Sequence, residues 1–146
     1  MLKIVGLIRT LSFVLFLGTL GLVYAYLPIM VEVLPNRLNF ALHKSSFFYY
    51  IVAFFIIVNL FTWGLTKLAH SLLMLKKGEE VTAWFNVISP IINIYLSLLL
   101  GYVGVINNPL HVSAQGFAYL NYFGPAMLLI WVGVLFYMIV NKKSTT

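Results

Sequence analysis

Four long apolar runs separated by short polar segments dominate this chain. The runs are Thr10–Tyr26, Phe47–Leu68, Val81–Val105 and Phe117–Val140. Each is close to the roughly 20 residues that an α-helix needs to cross the hydrocarbon of a bilayer. The pattern therefore predicts an all-α membrane protein in which one domain, residues 1–146, holds four transmembrane helices.

Composition and charge placement support this class and narrow it. The chain is 62% hydrophobic and only 8% charged, a balance that a soluble domain with a solvated surface does not have. The three carboxylates, Glu32, Glu79 and Glu80, lie outside the apolar runs, and no Lys or Arg interrupts the middle of a run. Proton relays and ion-coupled transporters place ionisable groups there, so the sequence argues against both classes.

The distribution of basic residues predicts the orientation through the positive-inside rule. Arg37 and Lys44 lie on one side of the predicted spans, and the remaining basic residues lie on the other: Lys3, Arg9, Lys67, Lys76, Lys77, Lys142 and Lys143. We therefore expect a multi-pass membrane protein with both termini in the cytoplasm.

Two other interpretations of the basic residues were weighed. Lys3 and Arg9 ahead of an apolar stretch that ends Val23-Tyr24-Ala25 are also typical of a secretory signal, but we expect this segment to remain as the first span. The net charge of +6 is accounted for by the predicted topology, and no basic patch interleaved with aromatic residues indicates nucleic-acid binding. The expected partners are the lipid bilayer and other integral membrane proteins.

The outer connection Pro28–Ser46 has an alternating pattern that predicts a short β-hairpin. A turn at Pro35-Asn36 pairs Val31 with Phe40 and gathers the apolar residues on one face. That face, which we expect to dock on the membrane, on the chain's own helices or on a partner, consists of Ile29, Val31, Val33, Leu38, Phe40 and Leu42. The competing interpretation is a short interfacial helix over Asn36–Lys44.

Polar residues recur at helical spacing inside the second and third spans. The candidates for contacts between helices are Asn59, Thr62 and Thr66 in the second span, with Asn86, Asn93 and Ser97 in the third. Polar side chains in lipid need partners, so such rows usually face other helices and form hydrogen bonds across them. A polar substrate path or a quinone-head site is the functional alternative.

No pattern of residues indicates catalysis, a metal site or a cofactor. The chain has no cysteine, and His43, His70 and His111 are divided between the two predicted sides of the membrane. We interpret Glu79 and Glu80 as part of a charged turn that places them at the N-terminus of the third helix, rather than as a catalytic pair. The chain is therefore expected not to be an enzyme.

One stretch of the outer loop resembles a known family. Tyr24-Ala25-Tyr26-Leu27-Pro28 is followed by Val31, Asn36, Asn39-Phe40 and the run from Lys44 to Tyr49. This stretch is similar to the first outer loop of small bacterial membrane proteins related to the SdpI-type immunity proteins. The resemblance covers about Tyr24–Tyr50 and implies a small four-span bacterial protein with a distinctive outer loop.

Two functions from different classes follow from these observations. The first is a non-catalytic accessory or structural subunit of a larger inner-membrane complex, such as a respiratory, secretion or motor assembly. The second is a small transporter or a toxin-immunity-type protein, with a polar site between the second and third helices.

Overall fold

The computed structural model describes residues 2–33, 41–73, 78–108, 114–117 and 119–141, and it consists mostly of helix. The described elements are the helices α1 (Leu2–Tyr26), α2 (Lys44–Leu73), α3 (Gly78–Ile106) and α4 (Leu120–Asn141), the strands β1 (Met30–Glu32) and β2 (Ala41–His43), and a 3-10 turn over Ala114–Phe117. A helix therefore covers most of each predicted apolar run.

Three of these helices are long and apolar enough to cross a membrane. The segments are Lys3–Tyr26, Lys44–Leu68 and Thr82–Ile106. The described apolar part of α4, Leu120–Val134, is shorter. The prediction of a helical membrane protein is confirmed at this level.

The helices extend beyond the apolar runs that predicted them. Helix α1 begins at Leu2 instead of Thr10, and α2 begins at Lys44 instead of Phe47. Lys and Arg are good helix formers, and their long stems pack along apolar surface, so a charged residue ends an apolar run without ending the helix. Helix α4 begins later than predicted, at Leu120, because Phe117 belongs to the 3-10 turn.

Helix α3 is the central helix, and the other three helices pack against it. The principal core lies where α1, α2 and α3 meet, and it continues to the hairpin. Phe16 of α1 stacks on Phe55 of α2 with ring centroids 3.9 Å apart, and Phe13 meets the same ring edge-on at 5.1 Å. Large rings thus fill the space between α1 and α2 at mid-helix.

The connection between α1 and α2 forms the predicted antiparallel strand pair, but in a different register. Val31 pairs with Leu42, not with Phe40 as the turn at Pro35-Asn36 predicted. The competing interpretation of a helix over Asn36–Lys44 is wrong for its described part, since residues 41–43 form β2 and α2 starts directly afterwards. The backbone N–H of Lys44 also donates to the carbonyl of Ile29, so the hairpin runs straight into α2.

Helix α4 is attached to α3 at two places. Trp84 and Trp131 stack with centroids 3.8 Å apart, and each indole Nε1 donates to the other residue's carbonyl, at 2.8 and 3.1 Å. At the second place, the ring of Tyr95 on α3 lies directly over Gly124 on α4. A Cβ atom on Gly124 would be 2.5 Å from a carbon of that ring. The Tyr95 hydroxyl donates to the carbonyl of Leu120.

Candidate functional site

Four buried polar side chains from three helices meet inside the bundle. Ser12 belongs to α1, Asn59 to α2, and Ser89 and Asn93 to α3. Their exposed fractions are 3%, 7%, 4% and 0%. We refer to these four residues as the polar network.

A reciprocal pair of carboxamides forms the centre of the polar network. Asn59 Nδ2 donates to Asn93 Oδ1 at 2.9 Å, and Asn93 Nδ2 donates back to Asn59 Oδ1 at 3.2 Å. The pair joins α2 to α3 by two hydrogen bonds in a region from which water is excluded. In such surroundings a polar group without a partner is costly, so the two side chains constrain each other's position.

The two serines complete the hydrogen bonding of this pair. Ser89 Oγ donates to Asn59 Oδ1 at 2.9 Å, and Asn93 Nδ2 donates to Ser12 Oγ at 3.2 Å. The second hydrogen of Asn59 Nδ2 goes to the carbonyl of Phe55, and Ser12 Oγ donates to the carbonyl of Arg9. Among the described side chains, no buried nitrogen or oxygen atom lacks a hydrogen-bond partner.

Helix geometry explains why these residues meet. Ser89 and Asn93 are four residues apart on α3, and side chains at this spacing lie on one face of a helix. Both therefore reach Asn59 from the same side, while Ser12 approaches from α1. Pro90 lies on the same turn of α3 and is buried as well.

The other predicted polar residues bond within their own helices. Thr62 donates to the carbonyl of Asn59 and Thr66 to that of Thr62, while on α3 Asn86 donates to Thr82 and Ser97 to Asn93. The prediction of hydrogen bonds between helices is therefore wrong for these four residues. A short hydroxyl or amide side chain can return to a carbonyl one turn earlier, and this satisfies it without a second helix.

Sequence reasoning did not find Ser12. A single serine inside an apolar run carries no periodic signal, and its role becomes visible only when α1 is packed against α3. The polar rows predicted on α2 and α3 contain Asn59 and Asn93, but they did not indicate that these two residues pair with each other.

The polar network consists of amides and hydroxyls, which neither titrate nor act as strong bases at neutral pH. Its described donors and acceptors are paired within the chain, so it holds three helices in register. Elsewhere in the described part of the chain, no three His, Asp or Glu side chains come together in a group that would hold a metal ion.

A groove of about 380 Å³ opens beside the polar network, between α1 and α2. Asn59 lies on its floor, and most of the walls are aromatic or aliphatic. Arg9 lies at one end of this groove, which we call the α1–α2 groove.

A second polar junction attaches the hairpin to the end of α3. Asn107 Oδ1 accepts from the backbone N–H of Glu32 at 2.8 Å, and Asn107 Nδ2 donates to the carbonyl of Glu32 at 2.8 Å. The Asn107 amide thus pairs with the edge of β1 as another strand would. The same Nδ2 also donates to the carbonyl of Val103, which caps the C-terminal turn of α3.

The structure separates the hairpin residues that were predicted to face a partner. Val31 is completely buried at 0% exposure within the chain's own core, so of the three expected surfaces it is the chain's own helices, and not a partner, that cover it. Val33 and Leu42 pack against the same core, whereas Ile29 is 73% exposed. Leu38 and Phe40 lie outside the described residues. Val31 belongs to the same buried cluster as Leu27 and Phe47, so the described part of the face that includes Val31, Val33 and Leu42 docks on the chain's own helices.

In comparisons with protein-family models, curated proteins and solved structures, nothing matches this chain.

Proposed function

We propose that this protein is a non-catalytic accessory subunit of a larger assembly in the bacterial inner membrane, such as a respiratory, secretion or motor complex. In this proposal all four helices span the membrane, and both termini lie in the cytoplasm. The chain contributes packing surface and a docked outer hairpin to the assembly.

The observation that carries the proposal is the attachment of α4. This helix packs mainly against α3, and the consecutive residues Leu128, Leu129 and Ile130 are all exposed. Successive residues on an α-helix point about 100° apart, so three in a row cover more than half of the circumference. Helix α4 therefore offers apolar surface on several sides, which suits lateral packing of another membrane helix.

The polar network supports a structural role. Asn59 and Asn93 direct their carboxamides at each other and at serines of the same bundle, so the network stabilises helix packing. A subunit that must present a fixed surface to partners benefits from such an internal constraint. Interhelical hydrogen bonds of this kind contribute about 0.6 kcal/mol each in membrane proteins.

The proposal is tested by extracting the tagged protein from its host in mild detergent and measuring the mass of the intact complex by native mass spectrometry. We expect a stoichiometric complex with a larger membrane protein. Leu129→Trp on α4 should weaken that complex, and Leu15→Trp, at an exposed leucine of α1, serves as the control. A protein that stays a monomer in lipid nanodiscs and in extracts alike contradicts the proposal.

The proposed orientation has a direct test because the chain contains no cysteine. Ala41→Cys in the hairpin should react with a membrane-impermeant maleimide in spheroplasts, whereas Lys3→Cys should react only after lysis. Both positions are exposed. The reverse labelling pattern would refute the proposed orientation, but it would not test the proposed role as an accessory subunit.

A second candidate function is a small transporter or a toxin-immunity-type protein. The observation that favours it is the position of Asn59, which belongs to the polar network and also lines the α1–α2 groove. This function predicts that Asn59→Leu combined with Asn93→Leu abolishes transport or protection while abundance and assembly persist. If activity follows abundance in a series of such variants, the polar residues act only in packing.

A further inference from the structure

Arg9 lies where the polar start of α1 meets its apolar part. It lies about two turns inside α1, within the segment Lys3–Tyr26 that is apolar enough to cross a membrane. Its neighbours Leu7, Ile8 and Leu11 are exposed and apolar, so in a bilayer they contact hydrocarbon. An arginine this close to the end of a membrane helix directs its guanidinium toward the interface, where an anionic group can pair with it.

The α1–α2 groove begins at this arginine. Arg9 and Phe13 of α1 form one wall, and Phe55, Ile56, Leu60 and Trp63 of α2 form the other. Besides Arg9 and the indole N–H of Trp63, the polar lining is Asn59 on the floor, whose two Nδ2 hydrogens and two Oδ1 lone pairs are engaged by Phe55, Ser89 and Asn93. The floor therefore offers no free group to a polar solute, whereas the walls suit a hydrocarbon chain.

A second cation lies at the same end of the groove. The Lys67 ammonium is 5.6 Å from the centroid of the Trp63 ring, and the Arg9 guanidinium is 6.0 Å from that of Phe13. Glu32 is the one carboxylate whose side chain the structure describes, and it lies on β1 beside the opposite end of α3. Arg9 thus lines the groove and Lys67 lies over Trp63, a residue of its wall, and within the described residues neither has a carboxylate beside it.

We propose that the α1–α2 groove binds one anionic phospholipid. The phosphate lies between Arg9 and Lys67, and an acyl chain runs along Phe13, Phe55 and Leu60. The lipid supplies the negative charge that the two cations require and fills an apolar groove open to the bilayer. Basic pockets between membrane helices bind anionic headgroups for the same reason.

The test measures lipid binding to the delipidated full-length protein by native mass spectrometry in mild detergent. Phosphatidylglycerol and phosphatidylethanolamine with identical acyl chains are titrated separately, and inorganic phosphate is added as a competitor. We expect tighter binding of phosphatidylglycerol, with little displacement by inorganic phosphate because the acyl chain contributes to binding. Comparable affinity for the two lipids, or full displacement by phosphate, would overturn the proposal.

Charge variants locate the headgroup. Arg9→Gln and Lys67→Gln should each weaken phosphatidylglycerol binding about fivefold, the effect of one basic residue beside an anionic headgroup. Lys3→Gln removes the same charge from an exposed position of α1 and should leave the affinity unchanged. Arg9→Lys should retain most of the binding. Equal losses for Lys3→Gln and Arg9→Gln would mean that the attraction is diffuse, and the site would be rejected.

A groove variant tests the acyl contact independently of charge. Leu60→Trp fills the α1–α2 groove and leaves both cations in place, so binding of both lipids should weaken while phosphatidylglycerol remains the preferred one. Unchanged binding would refute the acyl position. If Arg9→Gln does not fold, Lys67→Gln still tests the headgroup position and Leu60→Trp still tests the acyl position. None of these measurements depends on a protein partner, so the lipid site and the accessory role can fail separately.

Discussion

Truncating the two asparagines of the polar network should have unequal effects. Asn59→Ala and Asn93→Ala delete the same carboxamide, and each removes three hydrogen bonds between side chains of the network. At about 0.6 kcal/mol per bond, the direct loss is about 2 kcal/mol in either variant. The difference between the variants lies in the groups that remain.

Asn93→Ala leaves Asn59 with the Phe55 carbonyl as acceptor and Ser89 as donor, so each polar atom of Asn59 keeps a partner. Asn59→Ala instead leaves Asn93 Oδ1 without its donor in a fully buried position. A stranded buried acceptor costs about 1–3 kcal/mol more. We therefore expect Asn59→Ala to be the more destabilising variant by that amount.

The assay is reversible unfolding in mixed micelles, followed by circular dichroism, for both single variants and the double variant. The two single variants share two of these bonds, and the double variant strands no carboxamide. It should therefore be less destabilised than the sum of the singles by about 2–4 kcal/mol. Additive losses would refute the reciprocal pair. A larger loss for Asn93→Ala than for Asn59→Ala would refute the assignment of the remaining partners.

Two further contacts give predictions that are measured in the same protein. Gly124→Ala places a methyl group against the Tyr95 ring and should cost about 1–3 kcal/mol of unfolding free energy, whereas Gly133→Ala on the same helix meets open space and should be neutral or stabilising. Equal effects of the two would contradict the close approach of α3 and α4. Asn107→Ala should speed amide hydrogen exchange at Glu32 about fivefold, through loss of a bond contributing about 1 kcal/mol. Unchanged exchange there would show that this amide does not hold β1.

The helices are predictable because run length is a strong physical signal. Burying about 20 apolar residues in hydrocarbon outweighs local detail, so each run becomes a helix whatever its exact sequence. The ends are less predictable, since Lys3 and Arg9 interrupt the apolar pattern but favour helix, and α1 simply continues through them to Leu2.

The strand register could not be derived from the alternating pattern. A shift of two residues keeps every side chain on its own face, so the pairings of Val31 with Phe40 and with Leu42 satisfy the apolar pattern equally. The described strands are only three residues long, so their cross-strand contacts are too few to favour one register over the other. The presence of a hairpin was therefore predictable, while its pairing was not.

The candidate site was predictable in outline. Periodicity identifies which face of a helix is polar, but not which residue of another helix it meets. Asn59 and Asn93 were recognised as polar positions for this reason, and their pairing depends on how far α2 is shifted along α3. Ser12 could not be recognised at all, because its contribution requires α1 to be placed first.

The stacked pair Trp84 and Trp131 gives this protein an intrinsic optical reporter. Two indoles 3.8 Å apart and nearly parallel couple their electronic transitions, and the chain has only three tryptophans in total. The coupled tryptophan signal in the circular dichroism spectrum therefore reports the distance between α3 and α4. A partner that draws α4 away from α3 would extinguish that signal, so docking of the helix can be followed in real time without a label.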